Sequence, residues 1–172
     1  MSPVALAVGL VAAERLCELA LAQRNTRALK RAGAVEYGRG HYPLIVALHA
    51  AWLGALYWRV PAETPANLPL AALYIPLQGL RFWTLATLGR YWTTRIIILP
   101  GAPLVRRGPY RLLRHPNYAI VAGEIALLPL VFGAWRLALL FSVANLALLA
   151  WRIAVEERAL APRREAQASP QT

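Results

Sequence analysis

The chain has 172 residues, of which 58% are hydrophobic and only 16% charged, with a mean hydropathy of +0.42. Soluble domains carry roughly 25% charged residues, so this apolar content exceeds what one small soluble core requires and indicates a membrane protein with several spans. The net charge of +11 would suggest nucleic-acid binding in a soluble protein, but here the cations cluster in particular loops, which membrane topology explains and nucleic-acid binding does not.

A span needs about twenty predominantly apolar residues. The first candidate is residues 4–22, continued by polar residues to Arg31 ahead of Gly33. No basic segment precedes it, and its end, Ala20-Leu21-Ala22-Gln23, offers no convincing cleavage site, so it reads as a retained span. Glu14, Arg15 and Glu18 form a local ion-paired face on it, and Ala5, Gly9 and Ala13 a small-residue packing stripe. Cys17 is the only cysteine, which excludes an intramolecular disulfide and speaks against a cysteine metal site.

The second span is residues 42–60, closed by Pro61 and Pro65, and the third is residues 68–88, ended by Gly89. His41 and His49 near the second share no metal-like cluster, and no metal is expected. Residues 90–115 do not span. The fourth span is residues 117–132 and the fifth residues 135–160, joined by a tight Gly133-Ala134 turn that predicts an antiparallel pair. The expected fold is therefore an all-α integral membrane protein of about five transmembrane helices. Residues 1–161 form its single domain, and residues 162–172 a short polar tail without periodicity.

Arginines concentrate in the connections between spans one and two and between three and four, and after span five. The opposite connections hold only Arg59 and Arg136. The positive-inside rule then places the N-terminus outside and the C-terminus in the cytoplasm. Tyr57, Trp58 and Trp135 fall at the outer ends, where an aromatic belt belongs.

At the cytoplasmic entrance to span four stands GPYRLLRHPNY, residues 108–118. Gly108 and Tyr110, then Arg114-His115-Pro116-Asn117-Tyr118, and later Arg152 with Glu156-Glu157, follow each other in one order on one side of the membrane. This C-terminal half resembles the isoprenylcysteine carboxyl methyltransferase family. The resemblance implies an S-adenosylmethionine-dependent transferase with a cytoplasmic cofactor pocket, formed by the loop before helix four and the ends of helices four and five. It implies that Leu104, Val105, Tyr110, His115, Pro116, Asn117, Tyr118 and Glu156 bind the cofactor. Arg152 would face the methyl-accepting group. Tyrosine faces suit the cofactor's cation or ring, a histidine can donate to its carboxylate, and a glutamate suits its cationic groups. Methyl transfer then needs chiefly the positioning of acceptor oxygen and methyl carbon.

Arg152 and Glu156 are four apart and share a helix face, with Asn145 seven before Arg152 on the same stripe. Glu124 lies eight residues past Pro116, roughly 12 Å along its helix at 1.5 Å per residue, and is expected to pair with Arg152 and act on the acceptor. Against the family's pattern, the residues after Tyr118 read Ala-Ile-Val-Ala-Gly-Glu, and no aromatic, lysine-rich tail follows Leu160. Bacterial relatives of this broad family methylate small lipophilic acceptors, so a long-chain phenol or pyrone entering from the bilayer is the preferred substrate. A hydroxyl or carboxyl group would be methylated, in the bacterial inner membrane. The alternatives are an NADPH-dependent membrane sterol-type reductase, which carries a similar His-Pro-Asn-Tyr, and a phospholipid N-methyltransferase.

Overall fold

The computed structural model describes residues 2–168 and consists of five helices and a two-stranded sheet. Helix α1 runs Pro3–Arg31, α2 Tyr42–Arg59, α3 Leu68–Leu88, α4 Pro116–Val131 and α5 Trp135–Ala168. The first four begin where the sequence offers a start signal. The Ser2 hydroxyl accepts from the Ala5 amide at 3.1 Å and Asn67 Oδ1 from the Leu70 amide at 3.1 Å. These side chains satisfy amides that the first helical turn leaves free. Pro3, Pro69 and Pro116 sit in first turns, where the missing N–H costs nothing.

The expected helix positions hold to within a few residues, and two features go beyond them. Helix α5 continues to Ala168, so most of the stretch expected as a polar tail is helical backbone, while residues 169–172 lie outside the described residues. Strand β1, Val35–Tyr37, pairs antiparallel with β2, Ile96–Ile98, joining the loop after α1 to the loop after α3. Three consecutive β-branched residues favour an extended chain in β2. The Glu36 carboxylate locks the pair, accepting from Lys30 at the end of α1 and from Arg95 at 2.7 Å.

Helix α4 packs most extensively against α3 and α5, as the tight turn between α4 and α5 requires. The apolar core gathers Val4 and Val11 of α1, Trp52 and Leu56 of α2, and Val121, Ile125 and Leu128 of α4 around Phe132 and Phe141. Outward-facing side chains on the same helices are also large and apolar, among them Leu16, Ile75, Phe82 and Leu140, each at least 60% exposed. By length and composition, one helix among the described residues is long and apolar enough to cross a membrane, α5 over Trp135–Ala161; α4 is apolar but has 16 residues. Five helices therefore stand where five spans were expected, but four of them fall short of that measure. The apolar part of α1 holds Glu14, Arg15 and Glu18, and Arg81 of α3 turns inward to meet its carboxylates.

That charge forms one buried network. Arg81 of α3 donates through Nε and Nη2 to Glu18 and, at 2.8 Å, through Nη1 to Glu124. Arg15 of α1 donates to Glu18 at 2.9 Å and to Glu124 at 3.1 Å, and Gln78 to Glu124 at 2.8 Å. Two guanidiniums and two carboxylates thus close a ring, with Glu14 attached to Arg15 at 3.2 Å. The ion-paired face expected on the first helix is real but reaches across three helices. The expected Glu124–Arg152 pair is not formed. Arg152 is level with Tyr118, six residues or roughly 9 Å nearer the start of α4 than Glu124 at 1.5 Å per residue, and Glu124 is already taken by α1 and α3.

Candidate functional site

The segment between α3 and α4 folds back over the N-terminus of α4 and the C-terminal part of α5. Its tightest point is Gly108, at a positive φ of +56°, where a Cβ would lie 2.5 Å from Thr87 Oγ1 and 3.2 Å from Trp83 Nε1 of α3. Only a residue without a side chain permits that approach. It starts a single 3₁₀ turn, Gly108–Arg111, which carries Tyr110. Pro116 then opens α4 and sets Asn117 and Tyr118 in its first turn.

These elements enclose a cavity of about 800 Å³. Leu104, Val105 and Tyr110 line it from the loop, His115, Asn117 and Tyr118 from the entrance to α4, and Arg152 and Glu156 from α5. Two groups of expected residues, separated by some of the longest apolar stretches of the chain, therefore meet. Pro116 is buried behind the wall and Glu124 lies outside the lining. Asn145 is buried on α5 outside the cavity, its Nδ2 without a partner.

Tyr118 is the hub. Its hydroxyl donates to Glu156 and accepts from Arg152 Nε at 2.7 Å, so Arg152 reaches Glu156 through the phenol. The Arg152 guanidinium also donates at 2.9 Å to the Thr94 carbonyl, just before β2. The His115 ring stacks on Tyr118 with centroids 5.2 Å apart, and its Nε2 lies 2.8 Å from Glu157 Oε1. Burial, then the charge of Glu156, raises the Tyr110 phenol above its usual range, so it remains a neutral O–H at physiological pH.

Two polar atoms in the cavity wall are buried without partners: the acceptor Asn117 Oδ1 and the donor Trp92 Nε1. Buried polar groups are rarely left so. A ligand carrying both a cationic donor and an anionic acceptor would satisfy them. With the tyrosine faces and the Glu156 carboxylate, the wall fits an amino-acid-bearing, positively charged cofactor such as S-adenosylmethionine.

Sequence reasoning missed part of this wall. Trp92, Arg95 and the isoleucines of β2 line it, as do Arg106, Arg111 and Arg114. The Ile96-Ile97-Ile98 run was the available signal for the strand. From the N-terminal half, Tyr42 supports the wall, its hydroxyl 3.2 Å from Thr94 Oγ1 and its ring 4.5 Å under the Arg95 guanidinium. His41 packs beside α5, its ring 5.7 Å from Trp151. Burial, then the charge of Arg152, lowers its pKa, so it is neutral at physiological pH.

A helical bundle with a polar cavity between a folded-back loop and the ends of its last two helices defines the class. The family model described as isoprenylcysteine carboxyl methyltransferase (ICMT) family matches residues 70–162, the segment that builds most of this cavity. The chain belongs to this methyltransferase family. It is 39% identical over 159 residues to the uncharacterized protein YpbQ of Bacillus subtilis, an alignment covering 90% of this chain and 95% of that one. It is 30% identical over 156 residues to an uncharacterized protein of Haemophilus influenzae, covering 87% and 90%. No solved structure matches the chain.

Proposed function

We propose that the protein is an integral-membrane methyltransferase that takes its methyl group from S-adenosylmethionine and delivers it to oxygen on a lipophilic acceptor. The observation that carries this is the convergence of Tyr110, His115-Asn117-Tyr118 and Arg152-Glu156 on one cavity. S-adenosylmethionine supplies an electrophilic methyl on a sulfonium. The chain's residues hold and orient. Glu156, fixed by Tyr118, faces the cofactor's cationic groups, and Asn117 and Trp92 find partners on its amino-acid end. Arg152, held by Tyr118 and Thr94, faces the acceptor and stabilises a developing or existing oxyanion.

Five spans, an external N-terminus and a cytoplasmic cavity in a bacterial inner membrane fit the loop arginines and the outward apolar side chains of α1, α3 and α5. The acceptor is a long-chain phenol or pyrone, whose hydroxyl benefits from anion stabilisation in a way that an already ionised carboxylate does not. Titration calorimetry on detergent-purified protein tests the cofactor. Saturable binding of S-adenosylmethionine and none of NADPH is expected, and the reverse would make the protein a reductase.

A further inference from the structure

The cavity carries more positive charge than its cofactor needs. Five guanidiniums line it, those of Arg95, Arg106, Arg111, Arg114 and Arg152, against the single carboxylate of Glu156. Arg95 is bound to Glu36 and Arg152 to Tyr118 and Thr94. Among the described residues, Arg106, Arg111 and Arg114 have no ion-pair partner, and all three are exposed at the cavity's rim. Their charge faces a cofactor that is itself a net cation, and so opposes its binding.

Between two of these arginines stand Leu112, 81% exposed, and Leu113, 48% exposed. Exposed leucines flanked by arginines are the pattern of a segment that rests on a bilayer, apolar side chains dipping inward and guanidiniums at phosphate level. Planar guanidinium forks pair with phosphate oxygens better than with isolated charges.

We propose that Arg106, Arg111 and Arg114 bind the phosphate of an anionic phospholipid headgroup at the rim of the cavity, and that this lipid completes the site by neutralising the rim. The proposal rests on the cavity being the S-adenosylmethionine site, and it has a consequence specific to that cofactor. S-adenosylhomocysteine, the product, has lost the sulfonium charge. The lipid therefore favours cofactor over product, and the enzyme's preference for the cofactor widens on an anionic membrane.

The test is binding to protein in nanodiscs of phosphatidylcholine alone or with phosphatidylglycerol added. With phosphatidylglycerol, S-adenosylmethionine should bind about fivefold tighter or more, and S-adenosylhomocysteine about equally. Substituting Arg106, Arg111 and Arg114 together by Gln should abolish that difference, while Arg59→Gln, an arginine at the far end of α2, should preserve it. Inorganic phosphate reproducing the gain in phosphatidylcholine nanodiscs would overturn the assignment to lipid. Equal S-adenosylmethionine affinity in both nanodiscs would overturn the proposal. Native mass spectrometry reads the headgroup site without cofactor. Wild type should retain phosphatidylglycerol and the triple variant lose it, and equal retention would overturn the proposal even if no nucleoside bound. Failure of S-adenosylmethionine to bind in any nanodisc, with phosphatidylglycerol still retained, would sink the cofactor assignment instead.

Discussion

Arg81 and Arg152 are both buried guanidiniums, 3% and 7% exposed, on helices of the same bundle. Their surroundings differ in kind. Arg81 is met by carboxylates alone, donating to Glu18 and Glu124 with Glu14 3.7 Å away, in a ring that Arg15 closes. Arg152 is met by neutral acceptors, the Tyr118 hydroxyl and the Thr94 carbonyl, and borders a cavity. In the first cluster charge is compensated within the protein, which is what an ion in an apolar interior requires. In the second it is left for something that enters. Burial alone does not separate structural from functional charges; how they are satisfied does.

The contrast breaks most visibly at Arg81. Arg81→Met leaves Glu18 and Glu124 short of a partner and should destabilise the fold by about 3–5 kcal/mol, the usual cost of removing one member of a buried pair. Thermal unfolding in detergent measures it. A midpoint unchanged from wild type would mean that the ring is dispensable.

At the other cluster, Arg152→Gln should lower turnover about 100-fold or more, as loss of a preorganised oxyanion donor does, with cofactor affinity nearly unchanged. Glu156→Gln should instead weaken S-adenosylmethionine about tenfold, since a charge-assisted bond is lost while packing is kept. Single-turnover rates and calorimetry together separate the two. A large loss of cofactor affinity in Arg152→Gln would blur the division of roles between them.

Glu124→Gln sharpens the comparison because it keeps shape and removes charge. It should cost about 1–3 kcal/mol of stability, leaving turnover per folded molecule within about twofold. Loss of turnover at full stability would return Glu124 to the reacting centre.

The smallest effect is expected at the sheet. Burial pushes the Glu36 carboxyl up, but the hydrogen bonds from Lys30 and Arg95 more than offset this and hold it below the usual carboxylate range. A depressed folded-state pKa contributes stability above the unfolded value of about 4.3, lost as pH falls through the folded value. Unfolding midpoints from pH 7 to 3 should fall more steeply in wild type than in Glu36→Gln. The difference should shrink in high salt, because Lys30 and Arg95 are well exposed. Parallel pH curves would remove Glu36 from the lock on β1 and β2.

Much of this was legible in the chain itself. Apolar runs bounded by Pro and Gly determined four of the helices and the start of the fifth, because such residues end helical hydrogen bonding locally, whereas α5 runs on past Pro162 to Ala168. The family resemblance carried by Tyr110, His115-Pro116-Asn117-Tyr118 and Arg152-Glu156 pointed to part of the cavity lining, Pro116 excepted, while Trp92, Arg95 and β2 went unread because they reach the cavity only through the tertiary fold. Only tertiary structure decided who pairs with whom. Periodicity tells which residues share a face, not how each helix is rotated about its own axis. Arg15, Arg81 and Arg152 were all eligible partners for Glu124 until packing turned two of them toward it. The pairing of Val35 with Ile98 joins two loops far apart in sequence, and neither strand has a partner nearby to announce it. Long-range contacts of this sort come from the collective burial of side chains, and no short stretch of sequence encodes them.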